Sequence, residues 1–193
     1  MVLLAACGGR KASPALDPTV TPLSPPLPLN QVYILESWGA APPDTTVSWL
    51  ASEPRVIVIR RGAPDNTLYG RVTFPAGTMV PSNGDSVTVR LTMAPGLYGF
   101  DLTTDAREVK PGPQVSFSYA IHFVAPAGAR KIYGSDIRFE QFLGVGRLEA
   151  DSTLVFLDSW RPGSDVLTAP LPGSGRYLVA APRTPPGFKA IVF

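Results

Sequence analysis

The sequence predicts an all-β protein: an antiparallel β-sandwich of about ten strands behind a proline-rich tether. Three observations carry that expectation. Apolar and polar residues alternate with a period of two along several segments after residue 30. Gly and Pro number 18 and 22 of 193 residues, well above the roughly 12% that these two usually supply, and they fall between the alternating segments. No window of eleven residues carries an apolar stripe at helical spacing.

Ser86 to Met93 sets Val87, Val89, Leu91 and Met93 against Ser86, Thr88, Arg90 and Thr92. Val115, Phe117, Tyr119, Ile121 and Phe123 alternate with Ser116, Ser118, Ala120 and His122. Leu68, Gly70, Val72 and Phe74 alternate with Thr67, Tyr69, Arg71 and Thr73. Each reads as a strand with one face on a core and one in water. Arg55-Val56-Ile57-Val58-Ile59-Arg60 is apolar without interruption between its arginines, the pattern of a strand buried on both faces. Further strands are expected over 31–36, 97–103, 136–143, 152–160, 165–170 and 175–180. Between them stand Asp65-Asn66, Ser82-Asn83-Gly84-Asp85, Pro95-Gly96, Pro111-Gly112, Ala127-Gly128, Pro162-Gly163 and Pro172-Gly173, which are turn residues. A closed barrel is the second choice, because the strands vary in length.

The N-terminus reads as an address. Leu4-Ala5-Ala6-Cys7 resembles the bacterial lipobox, whose Cys is lipidated and becomes the first mature residue. Cys7 is the only Cys in the chain. Residues 1–6 are read as the remnant of a signal peptide whose translation starts upstream, since they lack a basic region and a full apolar stretch. Stable anchoring needs more than one acyl chain. Residues 7–30 form the lipidated Cys and its linker. Six prolines between Arg10 and Asn30 make that stretch extended, with a reach on the order of 60 Å. The folded domain is expected over 31–193, in a bacterial cell envelope. Gly8 follows Cys7, where an Asp would direct some lipoproteins to stay in the inner membrane; the expected address is lipid-anchored in the envelope, on the outer membrane or facing the periplasm.

Several motifs in order give a family resemblance. Gly70 to Thr78 reads GRVTFPAGT and resembles the strand and PAG turn of ZU5-like β-sandwich domains. Ser86 to Met93, Tyr98-Gly99-Phe100-Asp101, Lys110-Pro111 with Val115 to Tyr119, and Leu167 to Leu171 with Gly175 to Ala180 follow in the family's order. The resemblance covers residues 55–181. It implies a non-catalytic structural or protein-interaction sandwich. Val124 to Arg130 inserts a loop outside the family pattern. Some relatives cleave themselves at His-Phe-Ser; here His122-Phe123 is followed by Val124, which has no nucleophile, so self-processing is not expected.

Catalytic chemistry finds little to work with. His122 is the only His, and Ser118 lies four residues along the same strand, about 13 Å away, too far for a nucleophile–base pair. No G-x-S-x-G elbow is present, and Gly144-Val145-Gly146 lacks the rest of a dinucleotide fingerprint. Asp101, Asp105, Asp151, Asp158, Asp165 and Glu149 are read as turn and cap residues, without the oxygen density of a calcium loop. No catalytic residue, cofactor or metal site is expected. Charged residues make up 17% of the chain at a formal net charge of +2, and the arginines at 55, 60, 61, 71 and 90 are placed at strand ends or on polar faces. That is no groove for nucleic acid.

What remains is binding. The preferred expectation is a protein partner taken at an exposed sheet edge, with Pro182 to Phe193 as a possible extra strand or docking tail. The alternative is a carbohydrate-binding module contacting cell-wall or extracellular glycan through Trp38, Trp49 and Trp160, with Tyr33, Tyr69 and Tyr98 as further rings. Trp38 and Trp49 straddle Pro42-Pro43, as in a hairpin.

Overall fold

The computed structural model describes residues 25–119 and 123–184. Cys7, His122, the tether before residue 25 and the tail after residue 184 lie outside the described residues. In chain order the strands are β1 (Leu27–Pro28), β2 (Val32–Ile34), β3 (Glu36–Ser37), β4 (Thr45–Leu50), β5 (Arg55–Arg60) and β6 (Leu68–Phe74). There follow β7 (Met79–Val80), β8 (Ser86–Met93), β9 (Gly99–Thr104), β10 (Glu108–Val109), β11 (Gln114–Ser118) and β12 (Phe123–Val124). Two short helices, α1 (Ala129–Tyr133) and α2 (Asp136–Gln141), precede β13 (Gly144–Leu148), β14 (Thr153–Phe156), β15 (Trp160–Gly163), β16 (Val166–Pro170) and β17 (Gly175–Pro182).

The protein is all-β, with two main antiparallel sheets. The larger runs β1-β14-β13-β17-β9-β8-β4, with β2 joined to the far end of β17. The smaller runs β15-β16-β11-β6-β5. The alternation read from the sequence decides which side chains meet. Val87, Val89, Leu91, Phe100, Leu102, Tyr177 and Val179 on the first sheet share one buried cluster with Ile57, Ile59, Val72, Phe74, Val115, Phe117 and Leu167 on the second. Phe100 and Phe117 touch across it with ring centroids 5.6 Å apart. β17 is apolar on both faces: its other face, Leu178 and Ala180, packs with Val32, Leu154 and Phe156 under Leu27 and Leu29. The folded unit therefore begins within the proline-rich stretch, since Leu27 and Pro28 pair with Leu154 and Thr153.

Gly70 lets β6 and β11 approach: a Cβ there would lie 2.6 Å from the Ser116 carbonyl oxygen, closer than any side chain tolerates.

Several expectations are corrected. β5 is an edge strand, and only Ile57 and Ile59 of its run reach the core while Val56 and Val58 face outward. An uninterrupted β-branched run fits an edge as well as an interior, because the neighbouring strand is what buries a face. Residues 136–141 form α2: the Ser135 Oγ accepts from the Arg138 amide at the N-cap, and a helix of six residues is too short to show a stripe. The 152–160 run divides between the two sheets, with Leu157 to Ser159 crossing over. β4, over Thr45–Leu50, lies outside the strands that the alternation predicts. Trp38 and Trp49 form no hairpin, because β3 pairs with β12 and β4 with β8. Asp101 sits within β9 and receives two hydrogen bonds of 2.7 Å from Arg176 across the strand pair.

Candidate interaction edge

β4 and β5 are consecutive in sequence yet end different sheets. The turn Ala51 to Pro54 carries the chain from one sheet to the other. It is held by the Ala51 amide donating to Asp85 O and the Gly77 amide donating to Ala51 O, both at 2.8 Å. The two edges thus line the same side of the sandwich. Between the start of β4 and the end of β5 opens a cleft of ≈ 340 Å³, bordered by Pro43 and Thr45 on one side and by Val58, Ile59, Arg60 and Gly62 on the other. On the side away from β6, no strand pairs with β5 among the described residues. Its outward side chains Val56 and Val58 are 53% and 48% exposed. A six-residue run with free backbone donors and acceptors and apolar side chains is the kind of edge that accepts another strand.

The edge is rigidly seated. Arg61, directly after β5, is buried, although the sequence groups it with the arginines at strand ends or on polar faces. Its guanidinium donates to Trp38 O at 2.5 Å, Ser37 Oγ at 2.9 Å and Tyr98 Oη at 2.8 Å. It also lies 5.4 and 5.3 Å from the ring centres of Tyr69 and Tyr98, which stack at 5.1 Å and 7°. Planar charge on a stacked pair is where Arg does what Lys cannot. The arrangement depends on a bulge. Ile59 pairs with Gly70 and Arg60 with Leu68, leaving Tyr69 as the extra residue of β6, so its ring enters the core against the simple alternation. The Tyr69 hydroxyl donates toward Leu97 O and Gly99 O and accepts from the Gly99 amide at 2.7 Å. Burial pushes the Tyr69 and Tyr98 phenols above their usual range, with Arg61 pulling the other way. The paired arginines at 60 and 61 after an apolar run were the signal available for this anchor, but nothing in the pattern says which of two adjacent cations turns inward.

The tryptophans separate. Trp49 is 5% exposed and packs on Phe74 with ring centroids 5.2 Å apart, so it belongs to the core and offers no ligand contact. Tyr33, Tyr69 and Tyr98 are buried as well. Trp38 is 64% and Trp160 43% exposed. Trp160 pairs with Thr168, Thr168 with Ser116, and Ser116 with Arg71, which sets Trp160 at the end of a polar row on the outer face of the smaller sheet.

On the opposite side of the sandwich, Tyr119, Glu140 and Arg161 meet. The Tyr119 hydroxyl donates to Glu140 Oε1 at 3.0 Å and accepts from Arg161, which also donates to the Glu140 and Leu143 carbonyls. Burial, ahead of the opposing pull of Arg161, pushes the Tyr119 phenol up to about 12. These bonds fasten β15 to α2. Among the described residues no three His, Cys, Asp or Glu side chains gather as a metal site, and no helix is long and apolar enough to cross a membrane. No family model, curated protein or solved structure matches the chain.

Proposed function

We propose that this chain is a non-catalytic lipoprotein of a bacterial cell envelope, tethered through Cys7, whose ZU5-like sandwich captures a protein partner by strand addition at β5. The observation that carries the reading is the open β5 edge: six regular residues with outward Val56 and Val58 exposed and the far side unpaired among the described residues. Edges are commonly blunted by proline, charge or a bulge; β5 carries its arginines and its bulge only at its ends, leaving the run between them open to pairing. The lipobox-like Leu4 to Cys7 and the prolines that follow support an anchor and a spacer that present the sandwich away from the lipid. The test is a photo-reactive residue at position 58 in the full-length protein, expressed in cells. One discrete protein adduct from position 58, absent from the same probe at position 160, supports the reading; adducts of equal pattern from both positions, or none from 58, count against it. A Cys7→Ser version tests the anchor separately, and its persistence in the membrane fraction refutes lipidation.

A second reading rests on Trp160. An exposed indole at the end of a row that passes over the buried Thr168 to Ser116 and the exposed Arg71 has the ring-plus-polar makeup of a glycan platform. Quenching of tryptophan fluorescence by soluble cell-wall glycans, lost in Trp160→Ala, favours this reading over the first.

A further inference from the structure

The reading of β5 as a docking edge says nothing about the chemistry of its occupant; the charges around it do. Arg55 and Arg60 close the two ends of β5, and Arg71 stands directly across from Val58 on β6. Arg90, Arg130, Arg147 and Arg176 each lie within 4.0 Å of a carboxylate. Arg55, Arg60 and Arg71 make no such ion pair among the described residues, and the Nε of Arg55 is buried without a hydrogen-bond partner. Arg60 is engaged only through Nη1, which donates to the Asn66 carbonyl at 3.2 Å. The chain as a whole is nearly neutral, 17 basic against 15 acidic residues, so three unmatched guanidiniums around one edge form a local field rather than a reflection of overall charge.

We infer, resting on the docking reading above, that the occupant of β5 is an extended protein segment of alternating apolar residues with a carboxylate at each end. The faces decide the pattern. Residues opposite Ile57 and Ile59 turn to the core face of the smaller sheet and are apolar, while residues opposite Val56 and Val58 lie on its outer face. Carboxylates opposite Arg55 and Arg60 gain charge-assisted hydrogen bonds in the geometry that guanidinium favours. A second copy of this chain cannot pair along the whole of β5: full overlap sets Arg55 opposite Arg60 of the copy and core-facing Ile57 opposite outward Val58, so charges and faces both mismatch, and a copy has to slip by one residue and leave an arginine of each strand unpaired.

The probe is a blocked peptide, Glu-Val-Thr-Val-Thr-Glu, titrated into the full chain and followed through backbone amide signals, beside Lys-Val-Thr-Val-Thr-Lys. The expected result is movement of the β5 amides by the glutamate peptide, with the lysine peptide at least about tenfold weaker. Affinity falls by about tenfold in the double variant Arg55→Gln with Arg60→Gln, and falls with salt in the unmodified protein; the salt series stands even if the variant does not fold. Equal binding of the two peptides overturns the charge assignment while leaving the docking edge intact. A glutamate peptide that moves amides elsewhere, or none, also overturns it, and the cross-link from position 58 then judges the docking edge on its own. A dimer formed through β5 without peptide contradicts the inferred occupant in favour of a second copy.

Discussion

The two sides of the sandwich are built alike and finished differently. On each side the chain crosses from the larger sheet to the smaller, from β4 to β5 and from β14 to β15. On each side an arginine binds beside a buried tyrosine, Arg61 with Tyr69 and Tyr98, Arg161 with Tyr119. The β14–β15 side is closed. β1 covers the edge of β14, β15 is four residues long and holds Pro162 and Gly163, and its pairing with β16 slips in register. Short length, proline and irregularity are the devices that keep an edge from pairing. β5 is longer and free of proline, and its one irregularity is the bulge at Ile59/Arg60 at its end. Six residues, four of them β-branched, pair regularly with β6 up to the bulge at its end, and two apolar side chains face outward. Stability explains closing an edge; leaving one open while its twin is closed points to use.

Four changes break or sharpen this contrast. The largest effect is expected at the buried anchors. Arg61→Ala strips three acceptors of their donor and empties a slot beside stacked rings, for a cost of about 3 kcal/mol. Arg161→Ala, at a less buried site, costs about 2 kcal/mol. Chemical denaturation reads both, and equal, negligible losses would mean that neither side depends on its arginine.

Alkaline pH acts on both sides together. Burial raises the phenols of Tyr119, Tyr133 and Tyr177 to about 12, and that of Tyr69 is raised too. In the unfolded chain these groups titrate near 10. Between pH 10 and 12 the unfolded state therefore releases protons that the fold retains. Stability present below pH 10 is lost as pH rises through 12. Phenolate absorbance should appear together with the loss of β-sheet signal; phenolate forming in an intact fold would contradict the burial.

Removing β1 reopens the closed side. A chain starting at Leu29 loses Leu27 from its packing over Leu154 and Phe156, about 1 kcal/mol, and gains a further bare edge at β14. Its self-association should rise above that of the parent in sedimentation at matched concentration. The smallest effect on stability belongs to the open edge itself: Val56→Lys with Val58→Lys should shift unfolding by no more than about 0.5 kcal/mol while abolishing the adduct from a neighbouring photo-reactive position. A large destabilisation would instead make those valines structural.

Much of this frame was legible beforehand. The alternation of 86–93 and 115–118 places Val87, Val89, Leu91, Val115 and Phe117 in the core where the structure has them. The open edge was not legible, because Val56 and Val58 are exposed for lack of a neighbour, and a strand's neighbours are absent from its own pattern. The burial of Arg61 was illegible for a related reason: it depends on a bulge that turns Tyr69 inward at a single unpaired residue. Trp49 and Trp160 look equivalent in sequence. Only pairing with β8 places one beneath Phe74 and pairing with β16 leaves the other at a rim.

The most direct test of the central contrast is amide hydrogen exchange along β5 and β15, in the free protein and in the complex isolated with its cross-linked partner. The account predicts fast exchange at alternate β5 amides in the free protein and marked slowing in the complex, with β15 unchanged. Protection that appears at β15, or at neither edge, would contradict it.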